Sequence, residues 1–174
     1  EYTPPAARDL ETLHPDLVVF GCTSASAVYG NEGDRRLRAR LTEITGAPAI
    51  GVMTSVHQAL ARIGARRVAI ITPYIEALNA KIAASLTDAG LDVVAIHGLG
   101  LTVNFEIAEV PPREIAAFAR EKLGRVQADC IFVSCTNFRA MEALPELRAS
   151  FRVPVLTSNQ ATLEAALAYL QSPS

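Results

Sequence analysis

The chain has 174 residues, enough for one large or two small domains; half are hydrophobic and a fifth charged, so a sizeable core can be buried. A formal net charge of −2 without a basic run argues against nucleic acid or a membrane surface as partner, and no apolar stretch approaches the roughly 20 residues that span a bilayer. Three cysteines, an odd number, do not suit a disulfide framework; with no signal-peptide pattern in the first residues, they point to a reducing, cytoplasmic setting.

Taken in order, Thr3 to Leu13 is expected as a helix, with Thr3 as cap and Pro4 at its first position. His14-Pro15-Asp16 turns into a strand over Leu17 to Gly21. The small hydroxyl residues of Cys22-Thr23-Ser24-Ala25-Ser26 suit a helix cap or a pocket lining. Asp34 to Thr45 is charged and periodic, with Leu37, Leu41 and Ile44 on one face and Gly46 as its stop. The arginines Arg35, Arg36, Arg38 and Arg40 read as a solvated face. Pro48 to Met53 is expected as a strand, and Thr54-Ser55 then caps a helix from Val56 to Ile63. Arg67 to Thr72 is a strand. A helix starts at Thr72-Pro73-Tyr74 and runs to about Ala89. Leu91 to His97 is a strand, and Gly98 to Glu109 a loop long enough to be functional. A helix covers Arg113 to about Lys122, and the apolar run Cys130 to Val133 suits a strand buried on both faces. A short helical segment near Met141 to Leu147, a strand over Val153 to Leu156 and a helix over Leu163 to Leu170 complete the chain. Strands and helices alternate throughout, the pattern of an α/β fold with mainly parallel strands.

The chain repeats itself. Asp16-Leu17-Val18-Val19-Phe20-Gly21-Cys22-Thr23 returns as Asp129-Cys130-Ile131-Phe132-Val133-Ser134-Cys135-Thr136. The Asp, Cys and Thr recur at one constant separation of 113 positions. Ala47-Pro48-Ala49-Ile50 is echoed by Val153-Pro154-Val155-Leu156. Two related half-chains are implied, each delivering a Cys-Thr pair to the carboxyl end of a strand, where open parallel sheets bind ligands.

A cysteine inside an apolar run is ordinarily a small core residue, and Cys130 fits that description. Cys22 and Cys135 instead end their strands and are followed by polar residues that suit a helix start, where the local field lowers a thiol pKa. Facing each other, two such thiols could exchange a proton with a substrate carbon from opposite sides. Alternatively, one thiolate could attack an activated double bond. His14, His57 and His97 show no zinc spacing with the cysteines, and no Walker loop or GxGxxG is present, so neither metal nor nucleotide finds local support.

Gly21-Cys22-Thr23-Ser24, Thr72-Pro73-Tyr74-Ile75 with Asn79, Asn104 before Ile107-Ala108, and Ser134-Cys135-Thr136-Asn137 resemble the aspartate/glutamate racemase superfamily. Within it they are most similar to the maleate cis–trans isomerase and arylmalonate decarboxylase branch, over about Asp16 to Thr162. The resemblance implies two pseudo-symmetric lobes, each a mainly parallel sheet flanked by helices, with the active-site cleft between them. It also implies no cofactor, a small carboxylate substrate and a homodimer. Residues 1–53 with about 157–174 would form the first lobe and 54–156 the second. The family opens with a further strand–loop–helix that supplies substrate-binding residues, and this unit is expected to be missing from the first lobe. Racemases and isomerases of the branch use a cysteine from each lobe, whereas the decarboxylases have glycine at the position of Cys22. The resemblance therefore implies Cys22 and Cys135 as catalytic residues, with Thr23, Ser24, Tyr74, Asn104, Thr136 and Asn137 binding substrate. A decarboxylase on the same scaffold and a non-catalytic module that holds a small acid are the alternatives.

Overall fold

A computed structural model describes residues 2–171; Glu1 and residues 172–174, the outermost ends of the expected first lobe, lie outside the described residues. The fold is α/β, with parallel sheets flanked by helices. Strands β1 (Val18–Phe20) and β2 (Ala49–Gly51) pair in one sheet. Strands β3 (Arg67–Tyr74), β4 (Asp92–Leu101), β5 (Cys130–Val133) and β6 (Val155–Thr157) form another, in the order β4-β3-β5-β6. Every pairing is parallel.

The internal repeat is visible in the register. Val18, Val19 and Phe20 pair with Ala49, Ile50 and Gly51. Their counterparts 113 positions on, Ile131, Phe132 and Val133, pair with Val155, Leu156 and Thr157. The repeats differ in cover. β5 is bonded on both sides, to β3 and β6, and all four of its residues are buried. Among the described residues β1 is bonded on one side only, and Val19 is 42% exposed where its counterpart Phe132 is fully buried.

Nine helices lie among the described residues. They are α1 (Thr3–Glu11), α2 (Thr23–Val28), α3 (Gly30–Thr45), α4 (Val52–Arg62), α5 (Glu76–Asp88), α6 (Asn104–Glu109), α7 (Pro112–Leu123), α8 (Ala140–Ser150) and α9 (Ser158–Gln171). The core gathers around β3 and β5, whose Ile70, Ile71, Ile131 and Phe132 meet Ile82 and Leu86 of α5 and Ile115 of α7. α3 ends as expected at Gly46, which takes a left-handed φ of 70° that a Cβ would oppose, and its amide bonds back to the Thr42 carbonyl at 2.9 Å.

Several expected boundaries move. Thr72, Pro73 and Tyr74 extend β3 rather than starting a helix, and α5 begins at Glu76. The expected 98–109 loop is ordered, because β4 continues to Leu101 and α6 starts at Asn104. The second strand ends at Gly51, so Val52 and Met53 belong to the buried face of α4. Cys22 is followed at once by the short helix α2, and α9 begins five residues before its expected start.

Arg38 departs from the solvated arginine face. Its Nε donates to the buried Asp34 carboxylate at 3.0 Å, and Thr54 Oγ1 donates to the same oxygen at 2.8 Å, tying α3 to α4. His57, on the next turn of α4, lies 3.4 Å from Ser85 Oγ; its burial lowers its pKa against the upward pull of Asp34. Both groups serve the packing of helices around α2, as a structural histidine would.

Asp129 aligns the starts of β3 and β5. Its carboxylate accepts the amides of Arg66 and Arg67 at 2.9 and 2.8 Å, and its own amide donates to the Arg67 carbonyl. Those amides, that of Arg67 foremost, hold the carboxyl below the usual carboxylate range. A depressed folded pKa adds stability above the ordinary Asp pKa of ~3.9, and that contribution is lost as the pH falls through the lower folded value. Asp129→Ala is therefore expected to lower the urea midpoint at pH 7, with the gap to wild type closing as the pH is lowered below the carboxylate range. An equal gap at all pH values would contradict this.

Candidate active site

Two strand ends build the site. β1 stops at Phe20, Gly21 turns the chain, and Cys22 stands at the head of α2 with an extended backbone, φ −126°. β5 stops at Val133, and Cys135 takes φ +98°, a sparsely populated region for a residue with a Cβ. The two ends are joined by direct hydrogen bonds. Thr136 Oγ1 donates to the Gly21 carbonyl at 2.8 Å, and Thr23 Oγ1 donates to Ser158 Oγ at 3.2 Å. Ser158 Oγ also accepts the Cys135 amide at 3.0 Å.

Tyr74 ends β3 between them. Its buried hydroxyl lies against the Cys135 and Thr23 side chains and within electrostatic reach of Cys22. Burial, then negative charge on Cys135 and Cys22, push its pKa far above the ordinary tyrosine range, so it remains a proton-bearing donor. A polar knot fixes its backbone: the Tyr74 amide donates to Thr72 Oγ1 at 3.0 Å, and Thr72 donates to Asn79 Oδ1 at 2.6 Å. Gly98 of β4 passes so close that a Cβ there would overlap the Tyr74 carbonyl and crowd Asn79 and Thr72.

The two thiols are unequal. Cys22 is partly exposed, with its sulfur 3.4 Å from Ser24 Oγ. Cys135 is buried, and desolvation pushes its thiol up. The Tyr74 hydroxyl and the amides of Asn137 and Phe138 oppose that rise, the Asn137 N–H standing 3.3 Å from the sulfur, while Cys22 adds to it. The expected helix start after Cys135 is absent, since α8 begins only at Ala140. Turn amides meet the sulfur instead, and burial outweighs them. Cys130 is fully buried in β5, its thiol pushed up to about 12 by desolvation, as suits a core residue.

The remaining expected site residues gather nearby. Asn137 Nδ2 donates to the Asn104 carbonyl at 2.7 Å, linking the turn after Cys135 to the start of α6, while the Asn104 side chain is exposed. Neither Thr23, Ser24, Thr136 nor Asn137 caps a helix through its side chain: Thr23 and Thr136 bond other strand ends, Ser24 meets the Cys22 sulfur, and Asn137 bonds the Asn104 carbonyl. Sequence reasoning missed Ser158 as a member of the site. Its signal was present in Thr157-Ser158-Asn159, which follows β6 at the same carboxyl-end level as Cys135. No group of three or more His, Cys, Asp and Glu side chains that could hold a metal ion occurs among the described residues. None of their helices is long and apolar enough to cross a membrane.

The parallel α/β fold thus brings two strand-end cysteines and a buried tyrosine to one end of its sheets. A family model described as arylmalonate decarboxylase matches residues 2–173, and the chain belongs to that family. Arylmalonate decarboxylase from Bordetella bronchiseptica is 30% identical over 156 residues, 89% of this chain and 65% of that protein. Maleate isomerase from Geobacillus stearothermophilus is 23% identical over 163 residues, 90% of this chain and 64% of that protein. The chain thus spans just under two thirds of the length of either relative. A solved cysteine-to-serine mutant of Nocardia farcinica maleate cis–trans isomerase, which carries a covalently bound succinylcysteine intermediate, shares the fold. Its TM-score is 0.90 at 22% identity, over 98% of this chain and 72% of that one.

Iodoacetamide at pH 8 is expected to modify Cys22 first, Cys135 more slowly and Cys130 slowest, as read by peptide mass spectrometry. Gly98→Ala is expected to displace Tyr74 and shift its near-ultraviolet signal, at a cost of about 1–3 kcal/mol in urea unfolding. An unshifted spectrum and unchanged midpoint would show that the close approach is dispensable.

Proposed function

We propose that the protein is a cofactor-independent isomerase or racemase of a small carboxylate or dicarboxylate, with Cys22 and Cys135 as its reacting groups. The observation that carries this reading is the asymmetry of the two thiols around Tyr74: one partly exposed, the other buried and held protonated. That asymmetry suits an addition–elimination path. The Cys22 thiolate adds to one alkene carbon of a cis-dicarboxylate, a C–S bond forms, and the π pair moves to the neighbouring carbon and its carboxylate. Cys135 gives that carbon a proton. Rotation about the new single bond, return of the proton to Cys135 and departure of the Cys22 sulfur leave the trans alkene, with both thiols as they began. In this proposal Ser24, Tyr74 and the amides of Asn104 and Asn137 hold the carboxylates, whose charge grows during addition, and the Thr23 and Thr136 hydroxyls join them by turning from Ser158 and the Gly21 carbonyl. A racemase would use the same pair to remove and replace an α-proton on opposite faces.

The same proposal divides the chain into a first lobe of 1–53 with 157–174 and a second of 54–156, the four-stranded sheet lying almost wholly in the latter. It also places the protein in the reducing cytoplasm as a homodimer, which light scattering of the purified protein tests directly. Three unpaired cysteines accord with that setting.

The second reading is decarboxylation of an arylmalonate. It is favoured by the 30% identity to a decarboxylase and by a buried, protonated Cys135, which could deliver a proton to the carbanion left by carbon dioxide. Proton NMR in deuterated water separates the readings. Isomerisation turns maleate into its trans isomer, racemisation labels an α-carbon, and neither releases carbon dioxide. Cys22→Ala and Cys135→Ala are each expected to reduce isomerisation or racemisation by ~10³-fold or more. Cys130→Ala is expected to keep turnover and cost on the order of 1 kcal/mol of stability. Carbon dioxide release that survives Cys22→Gly would decide for the decarboxylase.

A further inference from the structure

Ser158 is fully buried at the first position of α9 and accepts two hydrogen bonds, from the Cys135 amide at 3.0 Å and from Thr23 Oγ1 at 3.2 Å. It therefore touches a backbone group of one reacting cysteine and the side chain that follows the other. The internal repeat supplies a comparison within the same molecule. Strand register equates Thr157 with Gly51, so Ser158 stands where the first repeat has the equally buried Val52. Valine offers no acceptor. In that repeat the cysteine backbone is extended, with φ −126°; in the repeat that has the serine it is left-handed, with φ +98°. Directly after the left-handed residue, the amides of Asn137 and Phe138 meet the Cys135 sulfur, that of Asn137 at 3.3 Å. A strained residue of this kind persists only where its surroundings fix it, and the hydroxyl of Ser158 is the group that receives its amide.

We propose that Ser158 is a positioning residue: its hydroxyl holds Cys135 in the left-handed conformation and thereby aims two amides at the sulfur, while anchoring Thr23 of the opposite strand end. The proposal rests on the paired-cysteine reading of the site and assigns the origin of the difference between the two thiols. Loss of the hydroxyl frees the Cys135 backbone to become extended like that of Cys22, and the sulfur loses its amide partners while remaining buried.

The test is the pH profile of alkylation at each cysteine, followed by mass spectrometry in wild type, Ser158→Ala and Ser158→Thr. In Ser158→Ala the Cys135 midpoint is expected to rise by about one pH unit and its rate at pH 8 to fall by ~10-fold, with Cys22 within ~2-fold of wild type. Ser158→Thr, which keeps the hydroxyl, restores the Cys135 profile. An unchanged or faster Cys135 rate in Ser158→Ala, or an equal change at Cys22, overturns the proposal. Cys130 gauges folding in every sample, because it reacts only if the core opens. Should Ser158→Ala open it, amide hydrogen exchange of the unaltered protein decides: a Cys135 amide slowed at least ~10-fold relative to that of exposed Arg139 supports the bond, and equal exchange overturns it. Maleate turnover, measured on the same samples, separates the two claims. An inactive wild type whose Cys135 still answers to Ser158 removes the proposed reaction and leaves the positioning role; an active wild type whose Cys135 ignores Ser158 does the reverse.

Discussion

Two hydrogen bonds between strand ends are the constraint on which the site depends: Thr136 to the Gly21 carbonyl and Thr23 to Ser158. Each runs between segments more than a hundred positions apart in the chain. They bring the ends of β1, β5 and β6 to a common level, and Tyr74 reaches that level from β3. Without them the duplicated Cys-Thr pairs would be two unrelated turns. With them, the Tyr74 hydroxyl meets the Cys135 and Thr23 side chains and lies within electrostatic reach of Cys22. The thiols are unequal: Cys135 is buried and desolvation pushes its pKa up, whereas Cys22 is partly exposed.

The support beneath this arrangement is mostly polar and buried. Thr72, Asn79 and the bare Gly98 lock the backbone of Tyr74. Asp34 with Arg38 and Thr54 fixes α3 against α4. One Asp34 oxygen has no hydrogen-bond partner, and neither do the hydroxyls of Ser26 and Ser134. A buried charge made to serve packing in this way is costly unless its partners are rigid, and here they are carried on helices that also frame α2 and so the approach to Cys22.

Much of this was legible in the residues. The 113-residue spacing announced the duplication, and the register of β1–β2 against β5–β6 repeats it pair for pair. Cys130 declared itself a core residue by its apolar neighbours. What the residues hid follows from tertiary context. Thr72-Pro73-Tyr74 looks like a helix start, but pairing with β4 draws it into the sheet as far as Tyr74. The stretch after Cys135 looks like another helix start, yet the left-handed backbone there delays α8 to Ala140. Thr157-Ser158-Asn159 marks a strand end, but the role of Ser158 lies in accepting an amide and a hydroxyl from distant positions, which no local pattern encodes.

Among the described residues β1 is paired along one edge only. A strand with open amides and carbonyls along one flank is a template for any extended chain that meets it. The counterpart strand is shut on both flanks, and its starting aspartate bonds the neighbouring strand, whereas Asp16 has no such neighbour among the described residues. Val19 in β1 and Leu163, Leu167 and Leu170 on α9 leave apolar side chains exposed among the described residues. Among the described residues the β1 edge can therefore take one more strand without disturbing its pairing with β2, whereas β5 can take none.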